Sequence, residues 1–473
     1  MGNSHTAEPH HAEKQNAKHK EKGSGEPVNS LKTVTAEEFT LVLPPELSEK
    51  ILQYLSPWDL CQFQQVCMQY REVGNTDKLW LHYCLVRGWL RFGVSNSILH
   101  EAPLYTKLTN VSGTSPVFEL CVPEETRLSP LCRWKNVYIR MRHLSNNWAL
   151  GRYTVSPMLR GHTDKVTAMD CEGYTLVSGS NDKQLKVWDI RSCECMRTMR
   201  GHTDTVSAVK LKGQYVITGC GDSGVRVFDL KTGKVCFSFQ GHGGSVDHIQ
   251  IIGNLVISGG TDRTLRVWDL TNKCLLHTLR GHDDDIECVT AHKGMVLSGS
   301  WDRTLILWKI DSGKMIHHYQ AHSEAITAAQ FDEVKVVSGS ADGDVRIWSV
   351  NTGQCTMELS GHPDNEVYCV VYNAEVIAAG YSDSIVRIWG HDGSLIHCLK
   401  EHLGVVRCLH INNERLVSGG DQKKIVIWDY REGKKLNVAH RNPTRLQQML
   451  VTDTRIITAS PETPGTLSIL SYW

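Results

Sequence analysis

A period of 40 residues dominates the last two thirds of this chain. Histidine recurs at 40-residue steps, and an aromatic residue follows each histidine after 26 or 27 residues. A fixed period of this length indicates a repeat protein, in which each unit is one supersecondary structure that cannot bury its apolar face alone. The histidines are His162, His202, His242, His282, His322, His362 and His402, and the aromatic residues are Trp188, Phe228, Trp268, Trp308, Trp348, Trp389 and Trp428.

Each unit reads as four short strands. In the first unit they are 165–170, 175–180, 184–190 and 194–200, with turn residues between them. Gly-His before the first strand and Trp-Asp near the third are the signatures of a WD-repeat blade. The sequence therefore resembles the WD-repeat family over residues 152–473, and this resemblance implies an all-β propeller.

The number of blades depends on the last unit, which is degenerate. It offers three strands, at 446–452, 455–460 and 466–470. The segment 152–159 precedes the first Gly-His and belongs to no unit. We predict that this segment supplies the missing outer strand, because closure of the ring removes an open sheet edge. Eight blades are therefore expected, and seven is the alternative if the last unit packs irregularly.

The repeated polar residues favour a structural role over a catalytic one. A histidine, a serine and an aspartate could form a hydrolytic triad, but a catalytic site is needed once and these residues recur in unit after unit. The resemblance implies a hydrogen-bonded chain that satisfies polar groups buried between blades. Two blades depart from the pattern and should be softer, since Ala379 replaces the serine in the sixth and Asp421 comes one residue early in the seventh. The first and fourth units carry the chains His162, Ser178, Asp182, Trp188 and His282, Ser298, Asp302, Trp308.

Charge and composition exclude several classes of protein. The chain has 51 basic and 51 acidic residues and a sequence pI near 7.3, so no basic surface favours nucleic acid as a partner. No apolar run approaches the roughly 20 residues of a membrane span, and the polar N-terminus is unlike a secretory signal. The sixteen cysteines are scattered without metal-site spacing. We expect a protein of the cytoplasm, with the nucleus as an alternative, that needs no cofactor or metal ion.

The first 38 residues are predicted to be disordered, since they are polar and nearly lack aromatic residues. Their start, Met1-Gly2-Asn3-Ser4-His5-Thr6, fits the pattern for N-myristoylation at Gly2. The alternative is a polar tail that happens to begin with Met-Gly. A single myristoyl chain binds membranes only marginally, so at most reversible membrane contact is expected.

Residues 39–84 are rich in apolar positions three and four apart, which predicts short helices. The string Leu-Pro-Pro-Glu-Leu followed by Ile-Leu, Leu, Asp-Leu and Val-Cys closely resembles the F-box. Tyr70 stands where that family usually has tryptophan. The resemblance implies docking on the Skp adaptor of a cullin-RING ubiquitin ligase, and the alternative is a helical cap packed only on its own propeller. The implied adaptor contacts are Leu43, Pro44, Pro45, Leu47, Ile51, Leu52, Leu55, Leu60, Val66 and Cys67.

Residues 85–151 are assigned to a loop and a helical linker. The part up to about 130 has few periodic apolar positions. From 130 to 151 an apolar stripe with helical spacing returns, and it resembles the linker between F-box and propeller in F-box/WD-repeat proteins.

One face of the propeller is the expected substrate-binding surface. The loops that follow each Gly-His carry ten acids and four basic residues. Relatives that read phosphorylated segments use several arginines there, because phosphate prefers the guanidinium group, whereas here Arg407 alone lies at such a position. We therefore expect a basic or unphosphorylated segment, and the alternative is that the acids are solvated loop residues. The candidate contacts are Asp247, Asp284, Glu287, Trp301, Tyr368 and Arg407.

Together these patterns predict a non-catalytic substrate receptor of an SCF-type ubiquitin ligase. Its expected partners are the Skp adaptor, the cullin-RING core and a protein substrate. The alternative is a WD-repeat interaction scaffold, tethered to a membrane through Gly2, that recruits no ligase.

Overall fold

The computed structural model describes residues 45–92 and 132–473, apart from 67, 91, 362–363, 422–423, 440–445, 447 and 461–464. The chain divides into two compact units, Met1–Leu79 and Trp80–Trp473, called here the helical unit and the propeller unit. The division falls inside the segment 39–84, which resembles the F-box in sequence. Among the helices of these ranges, none is both long and apolar enough to cross a membrane.

The helical segments are short before residue 90, and turn-forming residues set their ends. Ser56 caps the second helix by accepting a hydrogen bond from the backbone N–H of Asp59 at 3.1 Å, and Pro57 occupies the first turn. Tyr70, the departure from the F-box pattern, is buried and stacks on Phe63 with ring centroids 4.1 Å apart. The described helices are α1 Pro45–Leu52, α2 Pro57–Phe63, α3 Met68–Gly74, α4 Asp77–Val86 and α5 Arg133–Leu150.

The propeller unit contains eight antiparallel sheets of sequential strands. From blade 1 to blade 7 the first strand of each blade packs against the first strand of the next, and the first strand of blade 8 contacts that of blade 1, so these strands form the inner wall of the ring. Blades 1 to 4 consist of β3 Val166–Glu172, β4 Thr175–Ser180, β5 Leu185–Asp189 and β6 Glu194–Met199; β7 Val206–Lys212, β8 Tyr215–Cys220, β9 Val225–Asp229 and β10 Val235–Phe239; β11 Val246–Ile252, β12 Leu255–Gly260, β13 Thr264–Asp269 and β14 Cys274–Arg280; β15 Ile286–His292, β16 Met295–Ser300, β17 Thr304–Lys309 and β18 Lys314–Gln320.

The remaining blades follow the same order. Blades 5 to 7 consist of β19 Ile326–Phe331, β20 Lys335–Ser340, β21 Val345–Ser349 and β22 Cys355–Leu359; β23 Val367–Tyr372, β24 Val376–Tyr381, β25 Ile385–Gly390 and β26 Leu395–Lys400; β27 Val406–Ile411, β28 Leu416–Gly420, β29 Lys424–Asp429 and β30 Lys434–Ala439. Blade 8 consists of β31 Met449–Val451, β32 Arg455–Ser460 and β33 Thr466–Ser471, together with β1 Thr154–Val155 and β2 Leu159–Arg160.

Strands from both ends of the propeller sequence close the ring. Both β1 and β2 pair antiparallel with β33, with Thr154 opposite Ser471 and Leu159 opposite Leu467. The prediction of eight blades is therefore confirmed, and the outer strand comes from the segment before the first Gly-His. That segment was expected to be one strand, but it forms two short ones.

Apolar cores lie between neighbouring blades. One of them joins Val267 and Leu279 of blade 3 to Ile286 and Trp308 of blade 4. The glycine in the second strand of a blade permits this packing, since a Cβ atom at Gly179 would lie 2.6 Å from a methyl carbon of Val206 in the next blade. This contact explains why glycine stands at the fifth position of the second strand, β4 Thr175–Ser180.

Helix α5 is fastened to blade 8. Trp148 stacks on Tyr472 with ring centroids 3.6 Å apart, and its Nε1–H donates to the carbonyl of Asp453 at 2.9 Å. The Arg415 guanidinium lies 4.8 Å from the Trp148 ring centre. The helix then ends at Gly151, whose φ of 64° is the left-handed conformation that glycine favours. The linker inside the propeller unit is therefore a fixed element.

We predict that Trp148→Ala destabilises the propeller unit by about 3–5 kcal/mol, the usual cost of removing a buried large aromatic side chain. Urea unfolding of the full chain, followed by far-UV circular dichroism, measures the change in the free energy of unfolding. Trp301→Ala is the matched control, because Trp301 is 57% exposed whereas Trp148 is 1% exposed. Equal stability of the two variants would contradict the conclusion that Trp148 holds helix α5 against blade 8.

Candidate functional site

In blades 1 to 5, whose loops the structure describes in full, two loops reach one face of the ring, which we call the upper face. Strand direction alternates within a blade, so the loop before the first strand and the loop between the second and third strands lie at the same end. In blade 1 these loops are 161–165 and 181–184, and they are joined where Thr163 N–H donates to Asp182 Oδ2 at 3.0 Å.

A buried hydrogen-bonded chain anchors these loops in the blade. Trp188 Nε1–H donates to Ser178 Oγ at 2.8 Å. Ser178 Oγ is 2.8 Å from His162 Nε2, and His162 Nδ1 is 2.8 Å from Asp182 Oδ2. Since the imidazole Nδ1–H donates to the carboxylate, Nε2 accepts the serine proton. Ser178 is completely buried, so its hydroxyl cannot reach a substrate.

The same chain recurs in other blades. In blade 4, His282 lies 2.8 Å from both Asp302 and Ser298, and Trp308 donates to Ser298 at 3.0 Å. Blades 3 and 5 repeat it with His242 and His322. Burial alone would raise the pKa of Asp302, but hydrogen bonds from His282, Thr304 and the Asp283 backbone hold it well below its ordinary value. The chain is thus a buried, charge-assisted anchor.

Blade 7 departs from this pattern, for a reason that differs from the one predicted. Asp421 N–H donates to the carbonyl of Val405, as Trp301 N–H does to Asp285 in blade 4. Asp421 therefore occupies the position before the blade aspartate rather than arriving early, and its carboxylate binds Arg407. Within the described ranges, His402 Nδ1 has no hydrogen-bond partner.

Two positions fourteen residues apart recur in blades 1 to 7, one near the start of the first strand and one just before the position of the blade aspartate. We call them the paired positions. Their side chains are hydrogen-bonded to each other in blades 4 and 7. In blades 1, 2 and 5 the first position is Thr167, Ser207 or Thr327, and its hydroxyl donates to an inner-strand carbonyl of the next blade. These side chains hold blades together, so they are not free to recognise a ligand.

Blades 3 and 4 place acids and an aromatic side chain at the paired positions. Trp301 is 57% exposed, and its Nε1–H donates to Glu287 Oε2 at 2.8 Å. Ser245 Oγ–H donates to Asp247 Oδ1 at 2.6 Å. Desolvation by the surrounding protein raises the pKa of Glu287, and repulsion from Asp247 and Asp285 raises it further. The hydrogen bond from Trp301 opposes this increase. Glu287, Asp247 and Trp301 thus lie together, as candidate contacts should.

Blades 6 and 7 hold the other two candidates, Tyr368 and Arg407. The Arg407 guanidinium lies 5.3 Å from the Tyr368 ring centre, and its Nε–H is 3.0 and 3.1 Å from the two carboxylate oxygens of Asp421. Hydrogen bonding from Arg407 to Asp421 raises the pKa of Arg407. Because Asp421 already neutralises it, Arg407 is a poor site for phosphate.

Asp284 differs from the other candidates because its carboxylate shapes its own loop. Its Oδ1 accepts the backbone N–H of Asp285 at 2.9 Å, and Asp164 and Asp204 accept the equivalent bond in their blades. A device found in three blades is structural, so we reassign Asp284 from substrate contact to loop cap.

The second loops of the upper face carry acids, among them Asp344 and Asp421, as well as basic residues. The basic residues include Lys183, Arg263 and Arg303. All three adopt positive φ values of 66°, 61° and 71°. At the first of the paired positions, acids stand in blades 3 and 4, as Asp247 and Glu287.

One group in the part of the chain that the structure describes has ligand atoms close enough for a metal ion, namely His202, Cys220 and Asp222. Arg226 already donates to both oxygens of Asp222, at 2.9 and 2.8 Å, and its guanidinium touches His202. Because a guanidinium occupies the place of a cation, these residues do not fit a metal site.

The helical unit carries a second candidate surface, formed by exposed apolar side chains. Tyr54 is 92% exposed and Trp58 is 72% exposed. Neither was predicted from the sequence, nor was Met68. Exposed apolar side chains of this size are candidates for contact with a partner protein. The surface, which we call the apolar surface, consists of Leu47, Ile51, Tyr54, Trp58, Val66 and Met68.

Two of the predicted adaptor contacts are corrected by the structure. Leu52 and Leu60 are buried inside the helical unit, so they form its core and are not available to a partner. Leu55 is half-buried. Gly2, Leu43, Pro44, Cys67 and the side chain of Pro45 lie outside the described residues, and N-myristoylation of Gly2 stays a prediction.

The fold defines a WD-repeat β-propeller protein with an N-terminal helical unit. Family models agree with this class. The F-box-like model matches residues 40–86, and the model for the WD domain, G-beta repeat, matches seven segments that cover more than half of the chain, namely 154–189, 193–229, 233–269, 273–309, 313–349, 353–390 and 393–429. The chain belongs to the F-box/WD-repeat family.

Known relatives match over about a third of this chain. A probable E3 ubiquitin ligase complex SCF subunit sconB from Arthroderma benhamiae is 30% identical over 173 residues, which are 36% of this chain and 26% of the relative. F-box/WD repeat-containing protein 7 from Drosophila melanogaster is 31% identical over 163 residues, 34% of this chain and 11% of the relative. A probable E3 ubiquitin ligase complex SCF subunit scon-2 from Neurospora crassa is 26% identical over 207 residues, 34% of this chain and 32% of the relative. The matches thus span about a third or less of the length of these relatives.

A solved structure has a similar fold. The computationally designed protein Ika8 superposes with a TM-score of 0.62 and 29% sequence identity, covering 66% of this chain and 98% of the designed chain. The similarity is therefore one of fold.

We predict that acid destabilises this ring partly through His402. Burial, together with repulsion from the Lys424 charge, lowers the pKa of His402 to about 4. An unfolded histidine has a pKa of about 6.5, so the unfolded chain binds more protons between these values. The free energy of unfolding should therefore fall as the pH falls from about 6.5 to about 4, and this contribution is constant above about pH 6.5.

Urea unfolding at pH 7.0, 5.5 and 4.5 measures this dependence. His402→Asn should reduce the slope of the free energy of unfolding by about 1.4 kcal/mol per pH unit, the value for one proton. His318→Gln is the control, because the His318 side chain is exposed. An unchanged slope in His402→Asn would show that His402 does not titrate in this way.

Proposed function

We propose that this chain is the substrate-recognition subunit of an SCF-type E3 ubiquitin ligase. The helical unit docks on the Skp adaptor, and the upper face of the propeller binds the protein substrate. The apolar surface of the helical unit is the observation that carries the proposal, and the names of the sconB, scon-2 and Drosophila relatives support it.

The apolar surface is better suited to contact with a protein partner than to exposure to water. Leu52, Leu60 and Tyr70 already fill the core of the helical unit, yet six large apolar side chains remain at least 45% exposed. Burial of apolar area contributes about 25 cal/mol per Å², so a complementary groove on an adaptor would be stabilised by covering them. Tyr54 and Trp58 are the expected centre, since aromatic residues dominate interface energetics.

The role is non-catalytic. The hydroxyls, imidazoles and carboxylates that recur around the ring are committed to buried anchors. Catalysis in such an assembly comes from proximity, because a bound substrate lysine is presented to a ubiquitin-loaded enzyme held elsewhere in the complex. The complex acts in the cytoplasm, with the nucleus as the alternative.

We predict that Tyr54→Asp/Trp58→Ala lowers recovery of the adaptor and cullin at least about tenfold when the tagged full chain is isolated from cells. The physical reason is that a charge and a lost aromatic anchor at the centre of an interface each cost about 2 kcal/mol or more. Quantitative mass spectrometry of the eluate measures the recovery.

Trp301→Ala is the matched control, since it removes an exposed tryptophan from the propeller and should retain the adaptor. Circular dichroism of the double variant confirms that its helices are intact. Absence of adaptor and cullin with the wild-type chain would favour the scaffold function instead.

We further propose that the substrate segment is basic or unphosphorylated. The paired positions of blades 3 and 4 present Asp247, Glu287 and an exposed Trp301, while the one arginine at a phosphate-reading position is neutralised by Asp421. A phosphate group would meet like charges in blades 3 and 4, which costs several kcal/mol at an interface.

We expect a peptide array probed with the full chain to capture basic unphosphorylated peptides at least about fivefold more strongly than their phosphorylated counterparts. Trp301→Ala should weaken this capture, because it removes the aromatic anchor. Preferential capture of phosphopeptides would refute the basic-segment proposal without affecting adaptor binding.

A further inference from the structure

We propose that the paired positions of blades 3 and 4 form a pocket for one arginine side chain of the substrate. The inference rests on the proposed function, since it names the group that the upper face reads. It assigns the stacking surface to Trp301 and the acceptors to Glu287 and Asp247.

The Trp301 side chain is held in one orientation by a hydrogen bond and is nevertheless exposed to solvent. Its Nε1–H is fixed by Glu287 Oε2 at 2.8 Å, so the indole edge points to the carboxylate. Although fixed, the side chain is 57% exposed. At the equivalent positions the other blades have small or polar side chains, namely Asn181, Gly221, Thr261, Ala341, Ser382 and Asp421. Among these seven blades, a large rigid ring stands at this position in blade 4 alone.

The carboxylates beside Trp301 have unused acceptor capacity. Glu287 Oε2 accepts from the indole and Asp247 Oδ1 accepts from Ser245. Across the ranges that the structure describes, the second oxygen of each accepts no hydrogen bond. Asp247 and Asp285 also repel Glu287, which contributes to the raised pKa of Glu287. A cation between these groups would relieve that repulsion.

The chain contains a completed version of the same arrangement in blades 6 and 7. There Arg407 lies 5.3 Å from the Tyr368 ring centre while its Nε–H contacts both oxygens of Asp421. That cluster has an aromatic ring, a carboxylate and a guanidinium. Blades 3 and 4 have the ring and the carboxylates, but among the described residues no cation lies over Trp301. The component they lack is the guanidinium.

Arginine fits these groups better than lysine does. A guanidinium is planar, stacks on aromatic faces and donates through a rigid fork to carboxylates. A lysine ammonium is a hydrated point charge that gains less from a flat ring. The pocket should therefore distinguish the two basic residues as well as basic from neutral ones.

The test uses an array of peptides with random flanks and a central arginine, lysine, citrulline or asymmetric dimethylarginine, probed with the full wild-type chain. We expect capture through arginine to exceed capture through citrulline about tenfold, because citrulline keeps the shape and loses the charge. Lysine should be about threefold weaker than arginine. Dimethylarginine should also be weaker, because methylation blocks bidentate hydrogen bonding.

Glu287→Gln tests the pocket itself, since it retains an acceptor for the indole and removes the charge. Its capture of arginine peptides should fall about fivefold to tenfold. Glu324→Gln is the matched control, because Glu324 is an exposed acid of the same face in blade 5, and it should capture them as the wild type does.

Equal capture of arginine and citrulline peptides, or undiminished capture by Glu287→Gln, would overturn the pocket. Adaptor recovery is measured on the same preparations and separates the two proposals. Loss of the arginine preference with adaptor recovery intact refutes the pocket alone. An arginine preference in a chain that recovers no adaptor supports the pocket and refutes the ligase function.

Discussion

The pairing of β1 and β2 with β33 is the constraint on which the rest of the propeller unit depends. It joins strands that are far apart in the chain, with Thr154 opposite Ser471. Without it, blade 8 would keep three strands and an open edge. The same closure brings Tyr472 beside Trp148, so that helix α5 is fixed by the residues that complete the ring. The closure of the ring thus also holds the linker helix in place.

The buried anchors make the ring tolerant of variation on its upper face. In blade 1 the anchor joins a tryptophan, a serine, a histidine and an aspartate, and the loops contribute backbone N–H groups to it from Thr163 and Gln184. Buried polar groups are costly when unpaired, which explains why the set recurs as a whole. Because the anchor holds both loops of a blade from below, the residues at the mouth are free to differ between blades.

Periodic features could be predicted from the sequence and local ones could not. Repetition determined the strands, the structural role of the recurring residues and the eight-blade closure, since each depends on many positions at once. The exposed side of short helices was not predictable in this way. A spacing of three and four residues marks an apolar stripe, but Leu52 and Tyr54 are both apolar, and only packing decides that the first is core and the second is surface. Likewise Asp421 needed the backbone bond to Val405 to define its position.

An acid at a paired position removes a hydrogen bond between blades, and in blade 3 another side chain supplies one in its place. Ser207 in blade 2 bridges to the carbonyl of Val246, and this bond is lost where an acid replaces the hydroxyl. In blade 3, Asp247 cannot donate such a bond, but Gln250 Nε2–H donates to the carbonyl of Val289 in blade 4 at 3.0 Å. The contact between blades is therefore kept by a residue deeper in the strand. This arrangement explains how blade 3 can carry a charge at the mouth of the ring and keep its contact with blade 4.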